Sequence, residues 1–330
     1  MSRVAVLGAG SWGTTLAIHL ANAGHDARLW GNEPAELARI DAARENAKFL
    51  PSIHLPDRVK VQPELEAALS GSDFALFVVP SVAMREVARR VADTGIALPC
   101  SISASKGFDL ETRERLSQVL AECLPGTKVV VVTGPSHAEE VSRGIPTSVV
   151  AASADEAAAV SVQRLLATAS FRVYTNNDVT GCEVAAGMKN VIAIAAGVCD
   201  GVGFGDNTKG ALLTRGLAEI SRLGAAMGGR RETFFGLAGM GDLIATAMSR
   251  HSRNRDLGER LGRGESLASV LSSMTMVAEG VPAARAARAL GREHGVELPI
   301  TEQVCALLFE GRGPREALQA LMTRDLRSEA

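Results

Sequence analysis

Val4-Ala5-Val6-Leu7-Gly8-Ala9-Gly10-Ser11-Trp12-Gly13 is an apolar strand-forming run that stops at a glycine and turns toward a helix. The glycines fall at the spacing G-x-G-x-x-G, and the apolar stretch Thr14 to Ala23 follows them. In that setting each glycine has its own task. Gly8 permits the tight turn out of the strand, Gly10 lets a pyrophosphate approach the backbone, and Gly13 allows close helix-to-strand packing. The helix that follows offers unpaired N–H groups and the positive end of its dipole to the anion. The motif alone is weak evidence; its position between an apolar strand and an apolar helix makes it a dinucleotide-binding turn rather than an ordinary glycine-rich loop.

Downstream of this turn, short β-rich runs alternate with helical stretches, the pattern of a parallel sheet covered by helices. Strands are predicted at Val4 to Leu7, Ala27 to Trp30, Phe74 to Val79, Cys100 to Ser103, Val129 to Val132 and Ser148 to Ala151. Several are apolar throughout, as strands buried on both faces are. Helices are predicted at Thr14 to Ala23, Pro34 to Asn46, Val82 to Ala92, Glu111 to Cys123 and Asp155 to Leu166. The texture changes near Tyr174. From Asp178 onward no strand is predicted, and Ala, Leu and Gly recur at helical spacing almost to the end. The expected boundary lies near residue 175, with an α/β dinucleotide-binding domain over 1–175, a helical substrate domain over 176–330, and a cleft between them.

At 330 residues the chain is long enough for two domains of ordinary size. Lys and Arg total 35 against 37 Asp and Glu, a formal charge of −2 with no strongly basic block. Nucleic-acid binding by counter-ion release is therefore not expected, and an aromatic content of 4% argues against stacking on single strands. Apolar residues make up 46%, yet no unbroken apolar run approaches the ~18 residues that span a bilayer, so no membrane insertion is expected. Met1-Ser2-Arg3 leads straight into the first strand, without the hydrophobic region of a cleavable signal. Cys100, Cys123, Cys182, Cys199 and Cys305 are scattered and never form Cys-x-x-Cys, a pattern that predicts reduced thiols in a cytoplasmic setting and no zinc site. No His, Asp or Glu cluster has metal-ligand spacing.

An acidic residue at the end of the second strand holds an NAD ribose diol, whereas a basic one accepts the 2′-phosphate of NADP. Here the strand ends Leu29-Trp30-Gly31-Asn32-Glu33. Asn32 suits either cofactor; Glu33 leans to NAD, or is a solvated first-turn residue favoured by the helix dipole. From Val184 to Cys199, Lys189 is the one charge among small and apolar residues. Either its stem snorkels to a free edge of the helix, or burial lowers its pKa into the range of a general acid and base. Asn190 beside it either positions substrate or satisfies a helix contact.

Ligands of open α/β sheets bind beyond the carboxyl ends of the strands. Ser103-Ala104-Ser105-Lys106-Gly107 and Thr133-Gly134-Pro135-Ser136-His137 follow two such ends. Lys106 suits a carbonyl or phosphate oxygen, and Gly134 to Ser136 offer N–H groups and a hydroxyl. His137 reads as a capping or surface histidine. Gly239-Met240-Gly241-Asp242-Leu243 and Ser252-Arg253-Asn254-Arg255 are the polar islands of the helical half. Ser-Arg-Asn is either a phosphate clamp built on an arginine fork or a basic surface turn. Asp242 is either a helix cap or a carboxylate that binds a substrate hydroxyl and adjusts Lys189.

In chain order, the glycine turn, Ser105-Lys106-Gly107, Gly134-Pro135-Ser136, Lys189-Asn190-Val191, Thr214-Arg215-Gly216, Gly241-Asp242-Leu243 and Ser252-Arg253-Asn254-Arg255 together resemble the bacterial NAD(P)-dependent sn-glycerol-3-phosphate dehydrogenases. The resemblance runs from about residue 3 to about residue 320. It implies a doubly wound, mostly parallel Rossmann domain followed by an all-α domain of the 6-phosphogluconate dehydrogenase-like type. It also implies a cytoplasmic homodimer that reversibly reduces dihydroxyacetone phosphate to sn-glycerol 3-phosphate, for glycerophospholipid synthesis, with NADH or NADPH. By position it implies Lys189 as proton donor and acceptor, and Lys106, Gly134, Ser136, Lys189, Asp242, Ser252, Arg253 and Asn254 at the substrate. Gly8, Gly10, Ser11, Trp12, Gly13, Asn32, Lys106, Ala138, Arg253, Val277 and Glu279 are implied at the dinucleotide. The chain departs from the usual family pattern at Asn32, where His or Arg is frequent, and at Ala185-Ala186-Gly187, where Gly-Gly-Ala is usual. The layout alone also fits a β-hydroxyacid or 6-phosphogluconate-type dehydrogenase. A non-catalytic NAD(P)-sensing module is a further reading, although such a module needs no charge inside a buried helix.

Overall fold

Parallel strands need long crossovers, and a helix laid across the sheet supplies one while covering a face. In the computed structural model, which describes residues 1–326 and 328, the strands are β1 (Arg3–Leu7), β2 (Asp26–Trp30), β3 (Glu45–Asn46), β4 (Leu50–His54), β5 (Val59–Val61), β6 (Phe74–Phe77), β7 (Cys100–Ser103), β8 (Lys128–Thr133), β9 (Thr147–Ala152) and β10 (Phe171–Asn176). The helices of this half are α1 (Ser11–Asn22), α2 (Pro34–Ala43), α3 (Leu65–Leu69), α4 (Met84–Asp93), α5 (Leu116–Cys123), α6 (Ala138–Val141) and α7 (Glu156–Leu166). Eight strands form one sheet in the order β10-β9-β8-β7-β6-β1-β2-β5, and β3 pairs with β4 alone. From β5 across to β8 every pairing is parallel. The chain leaves β1 for β2 on one side and later returns to β6 on the other, so the strand order reverses beside β1. A crevice opens at such a reversal, beyond the carboxyl ends of the strands.

The sheet is mostly parallel, as its sequence pattern predicts, but β9 runs antiparallel to β8, and β10 runs parallel to β9. The connection from residue 134 to 146 holds only the short helix α6, which does not carry the chain back across the sheet. Side chains of β1 alternate between faces. Val4 and Val6 pack with Leu16 and Leu20 of α1 and Val162 of α7, while Ala5 and Leu7 pack with Val87 and Val91 of α4 and Leu120 of α5. Both faces are dry from Val4 to Leu7, which is why β1 is apolar after Arg3.

Several predicted ends move. The helix from Pro34 stops at Ala43, because Arg44 takes a left-handed φ of 52° and Glu45-Asn46 enters the β3–β4 hairpin. The helix predicted from Glu111 begins only at Leu116. The preceding loop is held instead by the buried Arg85, which bonds Asp109 at 3.1 Å, Glu114 at 2.8 Å and Glu122 at 2.7 Å. The strands β5 and β10 are too short or too polar to stand out in the sequence.

After Asn176 the described residues form helices and no strand: α8 (Val179–Val202), α9 (Asp206–Ala226), α10 (Arg231–Phe234), a π-helical turn (Leu237–Gly241), α11 (Asp242–Met248), α12 (Arg253–Gly262), α13 (Leu267–Ser273), α14 (Gly280–Glu293), α15 (Pro299–Phe309) and α16 (Pro314–Met322). Helix α8 starts where the Asp178 carboxylate accepts from the Gly181 N–H and ends at Gly203, whose φ is 83°. It is long and apolar enough to cross a membrane by length and composition, but 94% of its apolar window is buried inside the protein. Its tightest neighbour is α12. A Cβ on Gly197 of α8 would stand 1.9 Å from the Arg255 carbonyl oxygen, and one on Gly258 of α12 would stand 2.0 Å from the Ile194 oxygen. The two backbones therefore touch.

That contact makes a stability prediction. Gly258→Ala should cost about 1–3 kcal/mol in urea unfolding by forcing the helices apart. Gly210→Ala, in α9 with nothing near its Cβ position, should be neutral or stabilise by up to about 1 kcal/mol. Equal effects from the two substitutions would refute the close contact.

Candidate active site

Three strand-end or helix-end segments converge on α8. The loop after β7 brings Lys106, the turn after β8 brings Gly134 to Ser136, and α11 brings Asp242 and Thr246. Asp242 opens α11, where a carboxylate is favoured by the helix dipole, and Thr246 lies one turn on along the same face. Lys189 is 5% exposed and Asp242 1%, so the lysine does not snorkel to a free edge. Its Nζ donates to Asp242 Oδ1 at 2.6 Å and to Thr246 Oγ1 at 2.6 Å. Lys106 Nζ donates to the other oxygen, Oδ2, at 2.8 Å and to the Gly134 carbonyl at 3.2 Å. One carboxylate thus serves two ammonium groups.

The electrostatics follow from that count. Burial pushes the Lys189 ammonium down, to about 7, because the attraction of Asp242 is offset by repulsion from Lys106. Burial alone would raise the Asp242 carboxyl, but the paired charges and hydrogen bonds of Lys106 and Lys189 outweigh it and hold the group below its usual range. The carboxylate stays charged, and Lys189 is the group free to exchange a proton near neutrality.

Lys189 and Lys106 open onto a cleft of ≈ 570 Å³ that is also lined by Gly8, Gly10, Ser11, Trp12, Asn32, Ser136, Ala138, Ser252, Arg253, Asn254, Val277 and Glu279. Three sequence-derived candidates do not line it. Gly13 packs behind the turn, where a Cβ would stand 1.8 Å from the Gly8 oxygen. Gly134 offers its carbonyl to Lys106, and Asp242 acts through the two lysines. The cradle fits a dinucleotide. A Cβ on Gly10 would meet nothing within 4 Å, and α1 begins there with neither a capping side chain nor an acid in its first turn. Its N–H groups face space an anion can fill.

Other candidates take more specific parts than the sequence suggests. Ser252 caps α12 by accepting from the Arg255 N–H at 3.2 Å. Arg253 donates to the Val277 carbonyl at 3.0 Å, whereas Arg255 turns away to Asp200 at 2.7 Å. Asn254 accepts from the Gly280 N–H at 2.8 Å and donates to Asn190 Oδ1 at 3.0 Å, which orients the Asn190 amide. Glu279 accepts from the Ser81 N–H at 3.1 Å and hydroxyl at 2.6 Å; burial raises its carboxyl above the usual range despite these bonds. His137 neither caps α6 with its side chain nor lies on the surface. Its half-buried ring lines the cleft, 3.4 Å from the Ala245 carbonyl, and burial lowers its pKa. Glu33 is paired with Lys48 at 3.2 Å, and Asn32 accepts from the Arg90 guanidinium.

Thr246, Ser81, Lys48, Arg90 and Asn46 escape the sequence reading. Thr246 had one signal, its i+4 spacing from Asp242. Asn46 had none: expected at the end of a helix, it is fully buried and donates to the Ala9 carbonyl at 2.9 Å and Thr14 Oγ1 at 2.8 Å, bracing the glycine turn.

Family models for the NAD-dependent glycerol-3-phosphate dehydrogenase N-terminus and C-terminus match residues 3–159 and 178–319. The chain is 50% identical over 329 residues to a glycerol-3-phosphate dehydrogenase (NAD(P)+) of Pelodictyon phaeoclathratiforme, covering 99% of each. It is 50% identical over 333 residues to one from Geobacter sulfurreducens, covering 99% of this chain and 98% of that protein. Among solved structures, a glycerol-3-phosphate dehydrogenase from Coxiella burnetii matches with a TM-score of 0.95 at 37% identity, over 98% of this chain and 99% of that one.

The shared carboxylate should dominate local stability. Asp242→Asn, which leaves the buried Lys189 and the part-buried Lys106 without a counter-charge, should cost about 3–5 kcal/mol in urea unfolding. Thr246→Val, which removes one hydroxyl from the same network, should cost about 1–3 kcal/mol. The reverse ranking would contradict this account of the cluster.

Proposed function

The chain belongs to the NAD-dependent glycerol-3-phosphate dehydrogenase family, and from that premise we propose how its residues divide the work of reducing dihydroxyacetone phosphate to sn-glycerol 3-phosphate. The protein is an NAD(P)-dependent oxidoreductase. When bound, the nicotinamide supplies the hydride in one direction and accepts it in the other. Lys189 holds the proton that the substrate oxygen gains or loses. An ammonium has three donors. Two are engaged by Asp242 and Thr246, and the third is left for the oxygen in the cleft. The observation that carries this reading is that the buried, doubly anchored Lys189 lines the same cleft as the glycine turn.

Substrate placement rests on the remaining cations and amides. Arg253 spends one N–H on Val277 and has the rest of its fork for phosphate, while Lys106, Ser252 and the Asn190 amide supply further donors; the Ser136 hydroxyl donates to the Gly134 carbonyl at 3.0 Å and offers the substrate its lone pairs. Lys106 and Lys189 against Asp242 leave a local excess of positive charge, which a phosphorylated ketone offsets. Gly8, Gly10, Ser11, Trp12, Ala138, Val277 and Glu279 would hold the dinucleotide. Excluding water strengthens each of these interactions at the moment charge develops on the ketone oxygen.

The division of the chain near residue 175, into 1–175 and 176–330, is part of the same proposal, supported by the change from sheet to helices after Asn176. A cytoplasmic homodimer is the working assembly; its support is the family resemblance, and light scattering on the purified protein tests it.

Loss of nicotinamide absorbance on mixing the protein with NADH or NADPH and dihydroxyacetone phosphate tests the activity. Lys189→Met should retain nucleotide binding and lose about 10²–10⁴-fold in turnover; unchanged turnover would remove Lys189 from the chemistry. Reduction needs the protonated amine and oxidation the neutral one. With Lys189 near 7, kcat/KM should fall with rising pH for the ketone and rise for the alcohol. A flat profile in both directions contradicts the assignment. Arg253→Ala should raise KM for the ketone about tenfold or more through a lost charge-assisted bond, and an unaltered KM removes it from the clamp.

A further inference from the structure

Asn32 and Glu33, at the end of β2, give a divided answer as to which dinucleotide the cleft prefers, and two residues remote from them in sequence resolve it. Arg90 comes from the last turn of α4. Its guanidinium lies 4.9 Å over the ring of Trp30, which is 2% exposed and so forms a fixed floor, and it donates to Asn32 Oδ1. An arginine carries five N–H donors. The bond to Asn32 is the one that Arg90 makes among the described residues, so most of its fork is uncommitted.

The amide of Asn32 is oriented by the same bond. With Oδ1 turned to Arg90, the N–H₂ presents two donors to a ligand. A ribose diol is best met by a carboxylate acceptor, whereas a phosphate is met by donors. The acids nearby are already matched. Glu33 is paired with Lys48 at 3.2 Å, and Glu36 with Arg39 at 3.1 Å. Lys48 is further fixed 4.8 Å over the Phe49 ring. Trp30, Asn32, Glu33, Glu36, Lys48 and Phe49 all line the cleft. Arg90 does not itself line the cleft, but its bond to Asn32 and its place over Trp30 set an otherwise uncommitted guanidinium at the rim, beside the strand end where the 2′ position of the adenosine ribose is read.

We propose that Arg90, oriented by Trp30 and Asn32 and relieved of Glu33 by Lys48, forms a 2′-phosphate site that makes this chain prefer NADP(H) to NAD(H). The inference rests on the dinucleotide reading of the cleft given above. Recognition needs no basic residue at the strand end itself, because the cation arrives from a neighbouring helix across the crevice.

Isothermal titration with NADPH, NADH and 2′-phospho-ADP-ribose at low salt tests it without turnover. The wild-type protein should bind NADPH about tenfold or more tighter than NADH, as charge-assisted bonds to a phosphate require. Arg90→Gln should weaken NADPH and 2′-phospho-ADP-ribose about 10- to 100-fold. The same change should move NADH by less than about twofold, since an exposed charge away from its ligand contributes little. Arg90→Lys, which keeps the charge without the fork, should fall between. Equal wild-type affinities, or an unchanged NADPH-to-NADH ratio in Arg90→Gln, would overturn this inference and leave the dinucleotide site standing. No binding of either nucleotide by the wild-type protein would overturn both.

Discussion

Two ammonium groups meet one carboxylate where almost no water reaches, and the chemistry of the cleft follows from that shortage of negative charge. The side chains of Asp242, Lys189 and Lys106 are 2%, 6% and 18% exposed. A single lysine with Asp242 would make a closed, neutral pair. The second leaves an excess positive charge with two ways to discharge it: admit an anion, or lose the Lys189 proton. Binding a phosphorylated ketone and transferring a proton to it are thus two responses to one electrostatic imbalance.

The imbalance is useful only if its members hold their places, and that depends on backbone contact between α8 and α12. With glycine at Gly197 and Gly258, the helices approach until Asn254 at the start of α12 bonds Asn190 in the middle of α8. The Gly280 N–H fixes Asn254, Asn254 fixes Asn190, and Asn190 is next to Lys189. Arg255 bonds Asp200 near the C-terminal end of α8 and so ties the two helices together a second time. On the sheet side, Asn46 braces the glycine turn from the β3–β4 hairpin. Lys189, Lys106, Asn254 and Glu279 are therefore each held by a residue from a different element.

Much of this was legible in the residues alone. The strand–turn–helix at Val4 to Ala23, the alternation of the first half and the buried helix around Lys189 all announce themselves by local periodicity and by glycine spacing. Helix ends at Ala43 and Leu116 did not. The first is set by one left-handed residue, Arg44, and the second by Arg85 drawing Asp109, Glu114 and Glu122 around itself. Arginines on a helix face read as solvated charge until their partners are known.

From its own order of residues, the protein determines which stretches form strands and helices, that an anion cradle lies between the first two, and that one lysine sits alone in an apolar helix. These are consequences of sterics and hydrophobic spacing among near neighbours. Folding alone decides the partners. Lys189 meets Asp242 across 53 positions, Lys106 meets Asp242 across 136, and Arg90 reaches Asn32 across 58. A charge acts through space, so its pKa, its ligand and its function are settled by whichever group the tertiary structure sets beside it.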